Sequence, residues 1–158
     1  MIWSLFSTFL FIIDFKIKTK IEHMPNNVFP FNICSDKITI HKSHNKGLAF
    51  NFLENSRFST LFIPISVLLN LLTRFTILLS RKGNILKKFS FSLILSGGLG
   101  NIYDRIAYGY VVDYFSFNFK SKYLDKIKCI IFNLSDIFIF VGTILLIVSE
   151  FNTSKKNK

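Results

Sequence analysis

The sequence has few of the residues that build metal centres and redox sites. It contains two cysteines, Cys34 and Cys129, which form no CxxC pair and have no histidine at ligand spacing. The three histidines fall in one polar region and make no HExxH motif. These absences argue against a zinc enzyme or a thiol-redox enzyme, and we expect neither a metal nor a cofactor. A disulfide between the two cysteines is left open, with two unpaired thiols as the simpler interpretation.

Acidic residues are also scarce, with nine Asp and Glu against 20 Lys and Arg and a net charge of +11. A basic excess of this kind can indicate nucleic-acid binding. Here the basic residues stand between and beyond long apolar segments, where they suit anionic lipid headgroups better. We therefore expect membrane lipids, and not nucleic acid, to be the partner of these charges.

Apolar residues, in contrast, are abundant: 50% of the chain is hydrophobic, 20 residues are Phe, and the mean hydropathy is +0.41. They are grouped into four segments near the length of a membrane-spanning helix, at residues 2–18, 58–80, 85–108 and 134–151. The first differs from a cleaved signal peptide because it has no basic start, no small-residue cleavage site, and Asp14 in its continuation. The predicted fold class is mainly α, a polytopic membrane protein with four transmembrane helices in a single domain over residues 1–158.

The connections between these segments contain further elements. Residues 37–41 and 48–53 are rich in strand-forming side chains, and we predict short strands of a small extramembrane sheet there. Residues 117–131 interleave lysines with aromatic and aliphatic residues. That pattern is typical of an amphipathic helix on a membrane surface.

Polar residues that are far apart in sequence are predicted to meet at one end of the helices. Four spans put both termini on one side of the membrane, so the ends facing the other side converge. Ionisable groups there are costly and are functional candidates. Two neighbouring carboxylates can divide the roles of acid and base between them, and we predict that Asp113 and Asp136 do so. The count of basic residues does not decide which face this is.

Four motifs, in this order, carry a resemblance to a known family: NKGLAF (45–50), SGGLGNIYDR (96–105), GYVVDY (109–114) and FNLSD (132–136). Together they resemble signal peptidase II, the lipoprotein signal peptidase of peptidase family A8. The resemblance implies an aspartic endopeptidase of the bacterial inner membrane that cleaves prolipoproteins before a diacylglyceryl-modified cysteine. It also implies an extracytoplasmic active site and β-cradle, an amphipathic surface helix and cytoplasmic termini. We expect a monomer.

The resemblance also assigns roles to individual residues. Asp113 and Asp136 are the implied catalytic pair. The implied substrate-binding residues are Asn45, Asn101, Arg105 and Asn133, and the implied supporting residues are Asp14, Lys18, Gly47 and Asp104. The chain departs from the family pattern at four places: Phe15 stands for Gln, SGG (96–98) for GGA, Tyr114 for Phe, and Ser135 for Ala.

Two other classes of protein could use the same charges. A small transporter or channel subunit would also carry intramembrane Asp and Arg residues, but spans two and four contain no continuous polar path and no inverted repeat is evident. A structural membrane protein would use the motifs for helix packing alone. It would keep full function with Asn at positions 113 and 136.

Overall fold

A computed structural model describes residues 2–47, 57–118 and 130–156, and this part of the chain forms four long helices and a three-stranded sheet. The helices are α1 (Ile2–His23), α2 (Arg57–Leu79), α3 (Ile85–Ala107) and α4 (Leu134–Lys156). The strands are β1 (Phe31–Ile33), β2 (Ile38–Asn45) and β3 (Val111–Phe117). A single 3-10 turn, Asn26–Val28, precedes β1. The prediction of a mainly helical protein with a small sheet is therefore confirmed.

Two of the described helices are long and apolar enough to cross a membrane. These are Ser59–Leu79 within α2, with a mean hydropathy of 1.9, and Leu134–Asn152 within α4, with a mean hydropathy of 2.0. On α2, large apolar side chains such as Phe62, Val67 and Leu69 face outwards, as expected of a surface in contact with lipid. The helices α1 and α3 are of similar length but bury charged residues, and α1 continues five residues beyond the predicted limit at residue 18.

Glycines bring α3 and α4 into close contact. A Cβ atom at Gly97 or Gly100 would overlap with Ser135 of α4, and one at Gly142 would come within 2.7 Å of Ile94 of α3. Small residues at such positions let two helix backbones approach closely. This close packing fixes the start of α4 against the middle of α3.

The sheet lies beside the end of this bundle and has the order β1-β2-β3, with both pairs antiparallel. Strand β2 confirms the strand predicted over residues 37–41 and continues to Asn45. Strand β3 was not predicted. Its residues 111–116 are all buried, so they lack the alternation of a half-exposed strand. Val112, Tyr114 and Phe115 pack with Ile21 of α1 in one apolar core.

The register between β2 and β3 brings the site residues together. Ser43 is opposite Asp113 and Asn45 is opposite Val111, with an irregularity between Ile40 and Ser43. The chain from β3 leads to α4, and Phe115 forms a bridge with Phe132 just before that helix. Predictions that fall on residues 48–56 and 119–129 lie outside the described residues. They include the strand at 48–53, most of the surface helix at 117–131, and any pairing of Cys129.

Candidate active site

Asn133 lies between the two candidate catalytic carboxylates and contacts both. Its side-chain Nδ2 donates to Asp113 Oδ1 at 2.7 Å, and its backbone N–H donates to Asp136 Oδ2 at 3.1 Å. In return, the backbone N–H of Asp136 donates to Asn133 Oδ1 at 2.9 Å. The last two bonds form a reciprocal capping box at the start of α4. The helix terminus therefore fixes Asp136 and Asn133 together, and Asn133 reaches from there to β3.

Asn45, at the end of β2, makes a second contact with Asp113. Its Nδ2 donates to Asp113 Oδ2 at 3.1 Å, and its Oδ1 accepts from the backbone N–H of Gly47 at 3.0 Å. Asp113 thus accepts hydrogen bonds on both oxygens, from two amides that lie on different elements. The sheet register supplies one of them and the start of α4 supplies the other.

Asn101 of α3 makes the corresponding contact with Asp136. Its Nδ2 donates to Asp136 Oδ1 at 2.9 Å, while its Oδ1 accepts from Lys18 Nζ at 3.0 Å and from Asn133 Nδ2 at 3.2 Å. Three amides, Asn45, Asn133 and Asn101, therefore line the two carboxylates in one connected network.

Arg105 lies one helical turn beyond Asn101 and holds the segment that follows β2. Its Nη2 donates to the carbonyl oxygen of Gly47 at 2.8 Å, and its Nη1 donates to that of Asn101 at 3.2 Å. Its Nε is buried without a hydrogen-bond partner among the described residues. Asp104, the adjacent residue, points elsewhere, as expected of neighbours on a helix.

A buried ion cluster adjoins the carboxylate network. Lys18 Nζ lies 2.9 Å from Asp14 Oδ2 and 3.0 Å from Asp104 Oδ2, and the three side chains are at most 2% exposed. The hydroxyls of Ser135 and Tyr114 donate to Asp14 at 2.6 Å and 3.1 Å. Both carboxylates therefore pair with Lys18, and among the described residues neither forms an ion pair with Arg105.

Asp113 lies outside the helices, on a buried strand, and its pKa is far above its ordinary value. Burial, and after it the negative charge of Asp136, raises the pKa of Asp113 to about 7, although the hydrogen bonds from Asn45 and Asn133 act in the opposite direction. Near neutral pH the site therefore contains a carboxyl group that can give up or take back a proton, and a second carboxyl group lies beside it. Such a pair can activate water and protonate a carbonyl oxygen.

Three of the four departures from the family motifs have structural explanations. Phe15 packs edge-on against Tyr103 of α3, with ring centroids 5.2 Å apart, and it also stacks on Phe11. It lies in an aromatic contact between α1 and α3. Tyr114 and Ser135 each add a hydroxyl to Asp14. Their contribution was missed from the sequence, where the only signal was a hydroxyl replacing an apolar residue in a motif.

Comparisons with known proteins give one consistent result. The family model for signal peptidase (SPase) II matches residues 6–152. The lipoprotein signal peptidase of Clostridium tetani is 35% identical over 116 residues, which cover 73% of this chain and 70% of that protein. That of Buchnera aphidicola subsp. Schizaphis graminum is 31% identical over 149 residues, covering 92% and 91%. A bacterial membrane enzyme solved by the in meso method at 2.3 Å resolution superposes with a TM-score of 0.81 at 26% identity, covering 98% of this chain and 90% of that one.

Proposed function

Because this chain belongs to the signal peptidase II family, we propose that Asp113 and Asp136 are the carboxylates with which it hydrolyses prolipoproteins. Membership makes the chain a membrane peptidase that acts in lipoprotein processing. The observation that carries the assignment is the single bridge made by Asn133, which holds the two carboxylates at one site through bonds of 2.7 Å and 3.1 Å.

The environments of the two carboxylates favour different roles. Asp136 occupies the first turn of α4 and accepts a backbone N–H there, and a helix N-terminus favours the ionised form. Asp113 lies on a buried strand, where burial raises its pKa to about 7. We assign the base to Asp136 and the acid to Asp113.

The reaction begins with Asp136 as the base and Asp113 as the protonated acid. Asp136 takes a proton from water, the hydroxide oxygen bonds to the scissile carbonyl carbon, and Asp113 gives its proton to the carbonyl oxygen. The resulting tetrahedral diol collapses when its C–N bond breaks. During collapse the leaving nitrogen receives the proton from Asp136, and a diol hydroxyl returns one to Asp113. Both carboxyl groups thereby regain their starting states.

Asn45, Asn101, Arg105 and Asn133 are the proposed substrate-binding residues. Their positions suggest two kinds of contribution. Asn45, Asn101 and Asn133 already use their NH2 groups on the carboxylates, so they orient the reacting groups. Arg105 borders the segment after β2 and is the better candidate for contact with the substrate backbone. Asp14, Lys18, Gly47 and Asp104 are the proposed supporting residues.

An apolar groove borders this site. It has a volume of about 200 Å³, is walled mainly by aliphatic side chains of α2, α3 and α4, and is also lined by Asn101 and Arg105. We propose that it receives apolar substrate, either the signal-peptide segment or the acyl chains of a lipid-modified cysteine. Burial of such chains would position the scissile bond at the carboxylates.

The helix lengths support a four-span arrangement. Each helix has 22 or 23 residues, which is about 33 Å or slightly more and matches the hydrocarbon core of a bilayer. We propose one integral-membrane domain over residues 1–158 that acts as a monomer in the inner membrane. The sheet and carboxylates would face the extracytoplasmic side, and both termini the cytoplasm.

The assignment is tested by cleavage of a diacylglyceryl-modified prolipoprotein with purified protein in lipid. Asp113→Asn and Asp136→Asn are each expected to lower kcat by roughly 10³-fold, the scale of losing a general acid or base. Asp36→Asn is the matched control, since Asp36 is an exposed residue of the β1–β2 turn. Near-normal turnover by either of the first two variants would refute the pair.

A further inference from the structure

Lys18 touches neither candidate catalytic carboxylate, yet its ammonium group is bound to the network that orients them. Its Nζ has three acceptors, Asp14 Oδ2 at 2.9 Å, Asp104 Oδ2 at 3.0 Å and Asn101 Oδ1 at 3.0 Å. An ammonium group has three N–H donors and no acceptor. All three donors are therefore used, and the side chain, 2% exposed, has no contact with substrate available to it.

The orientation of the Asn101 amide follows from groups that have only one possible role. An amide can present either its oxygen or its NH2 group, and the choice is set by its partners. Lys18 Nζ can only donate, so the oxygen of Asn101 must face it. The NH2 group then faces Asp136 Oδ1 at 2.9 Å.

The amide of Asn133 is fixed in the same manner. The backbone N–H of Asp136 can only donate, so it takes the oxygen of Asn133, and the NH2 group of Asn133 turns to Asp113 and Asn101. Asn101 thus receives its orientation from two sides. Of the two donors on its oxygen, the charged one is Lys18, and hydrogen bonds from a charged donor are the stronger kind.

From this arrangement we propose that Lys18 is a positioning residue for the hydrolytic reaction. It holds the amide of Asn101 with its NH2 group on Asp136, and so keeps the carboxylate of Asp136 oriented to accept the proton of water. The inference rests on the proposed function of Asp136. Asp14 and Asp104 have a defined part in it, because their carboxylates bind the ammonium group of Lys18 and hold it beside Asn101.

The free-energy cost of burying the ion cluster indicates that the cluster does more than stabilise the fold. Burying three charged side chains is expensive, and an apolar replacement of similar volume is often as stable or more so. The chain nevertheless keeps Asp14, Lys18 and Asp104 at most 2% exposed, one hydrogen bond away from a candidate catalytic network.

The test is a double-mutant cycle on the whole chain in lipid, with steady-state cleavage of a diacylglyceryl-modified prolipoprotein as the assay. Lys18→Met keeps the length of the side chain and removes the donor. Lys18→Met/Asp104→Asn removes one buried carboxylate as well, and serves if the single variant fails to fold. Asn101→Ala is made alone and in combination, and Asp136→Asn is assayed in parallel.

Lys18→Met, or its charge-compensated form, is expected to lower kcat by about 100-fold, the scale of a misplacement of about 1 Å at a reacting group. KM should change by less than about threefold, because Lys18 does not reach the substrate. In the Asn101→Ala background, which should itself lose about 100-fold, the Lys18 change should cost less than about threefold more.

Two outcomes would overturn the inference. The first is near-normal kcat in the folded Lys18 variants while Asp136→Asn is inactive, which leaves the proposed function intact and removes Lys18 from it. The second is an equal loss from the Lys18 change with and without Asn101, which would mean that Lys18 acts by a different route. Activity of Asp136→Asn would instead refute the proposed function itself, so the two failures are distinguishable.

Discussion

Tyr114 and Ser135 donate their hydroxyls to the same carboxylate, that of Asp14, at 3.1 Å and 2.6 Å. These are two of the positions at which the chain departs from the motifs it resembles, which have Phe and Ala there. Tyr114 also accepts the backbone N–H of Leu134, in the first turn of α4, at 3.1 Å. The two departures are therefore one local feature, which surrounds a buried carboxylate with extra donors and ties β3 to α4.

The first prediction concerns these hydroxyls. Tyr114→Phe removes a donor to Asp14 and the partner of the Leu134 N–H, and we expect it to lower the unfolding free energy by about 1–3 kcal/mol, the cost of leaving buried groups unsatisfied. Turnover should stay within a fewfold of the wild type, since the carboxylate network does not include Tyr114.

Thermal unfolding in detergent measures the change in stability, and the cleavage rate measures the change in turnover. Tyr108→Phe is the control, because Tyr108 is exposed, and an unchanged melting temperature for Tyr114→Phe would contradict the prediction.

The second prediction separates two glycines of the same motif. A Cβ at Gly100 would overlap with Ser135 Oγ and lie 3.1 Å from Asp14 Oδ2, whereas one at Gly98 would meet only the end of the Leu68 side chain, at 2.9 Å. We expect Gly100→Ala to destabilise the protein by about 1–3 kcal/mol through overpacking and to lower turnover.

Gly98→Ala is the matched control for stability, and it should be tolerated by the fold because Leu68 can change rotamer. The two variants are compared by thermal unfolding. Similar behaviour of the two would show that close packing of α3 on α4 at Gly100 is not needed.

The third prediction is a pH dependence. Asp113 acts as an acid in the proposed mechanism, and burial raises its pKa to about 7, so kcat/KM should fall as the pH rises through that value. The hydrogen bond from Asn45 favours the ionised form and lowers the pKa of Asp113. Asn45→Ala should therefore raise that pKa further and move the decline to higher pH.

The measurement is kcat/KM across the neutral range for the wild type, Asn45→Ala and Asn32→Ala. Asn32 lies on β1, away from the carboxylates, and is the control. A decline that moves to lower pH in Asn45→Ala, or a rate that rises through pH 7 in the wild type, would be incompatible with Asp113 as the acid.

The raised pKa of Asp113 also predicts how the stability of the protein changes with pH. The folded protein keeps the Asp113 proton up to about pH 7, whereas the unfolded chain loses it near the ordinary value of 3.8. Between these values the folded state binds more protons, so the contribution of Asp113 to stability is fully present below the lower value and is lost as the pH rises to the upper one. Asp113→Asn should flatten this part of the melting-temperature profile. A profile that is unchanged by the substitution would contradict the raised pKa.

The sequence predicts the helices and identifies the residues of the site. It does not predict all of the strands or the hydrogen bonds that join the site residues. Long apolar segments predict helices well because a helix of that length satisfies its own backbone. Strand β3 was missed because Val112 and its neighbours are buried on both faces and show no alternation. The end of β2 at Asn45 was missed because its last residues are polar and gain their strand conformation from pairing with β3.

The contacts of Asp14 and Asn133 were also beyond a reading of the sequence. Asp14 lies more than 100 positions from Ser135 in the chain and meets it only because Gly100 permits close packing of α3 and α4. Asn133 was assigned to substrate binding by resemblance alone. Its cap on α4 depends on where that helix begins, and helix boundaries are the least certain part of a sequence-based prediction.

The last prediction tests the two roles of Asn133 against each other. Its oxygen caps α4 by accepting from the backbone N–H of Asp136, and its NH2 group donates to Asp113 at 2.7 Å. Serine is also a good helix cap but has no amide to reach Asp113, so Asn133→Ser should keep most of the stability while losing the bridge. Asn133→Ala loses both the cap and the bridge, and its unfolding free energy should be lower than that of the Ser variant by about 1 kcal/mol.

We expect both variants to lose about 100-fold in kcat, because the relative position of the two carboxylates is no longer fixed. If Asn133→Ser instead turns over at the wild-type rate, the cap alone accounts for Asn133, and the carboxylates must be aligned by Asn45 and Asn101.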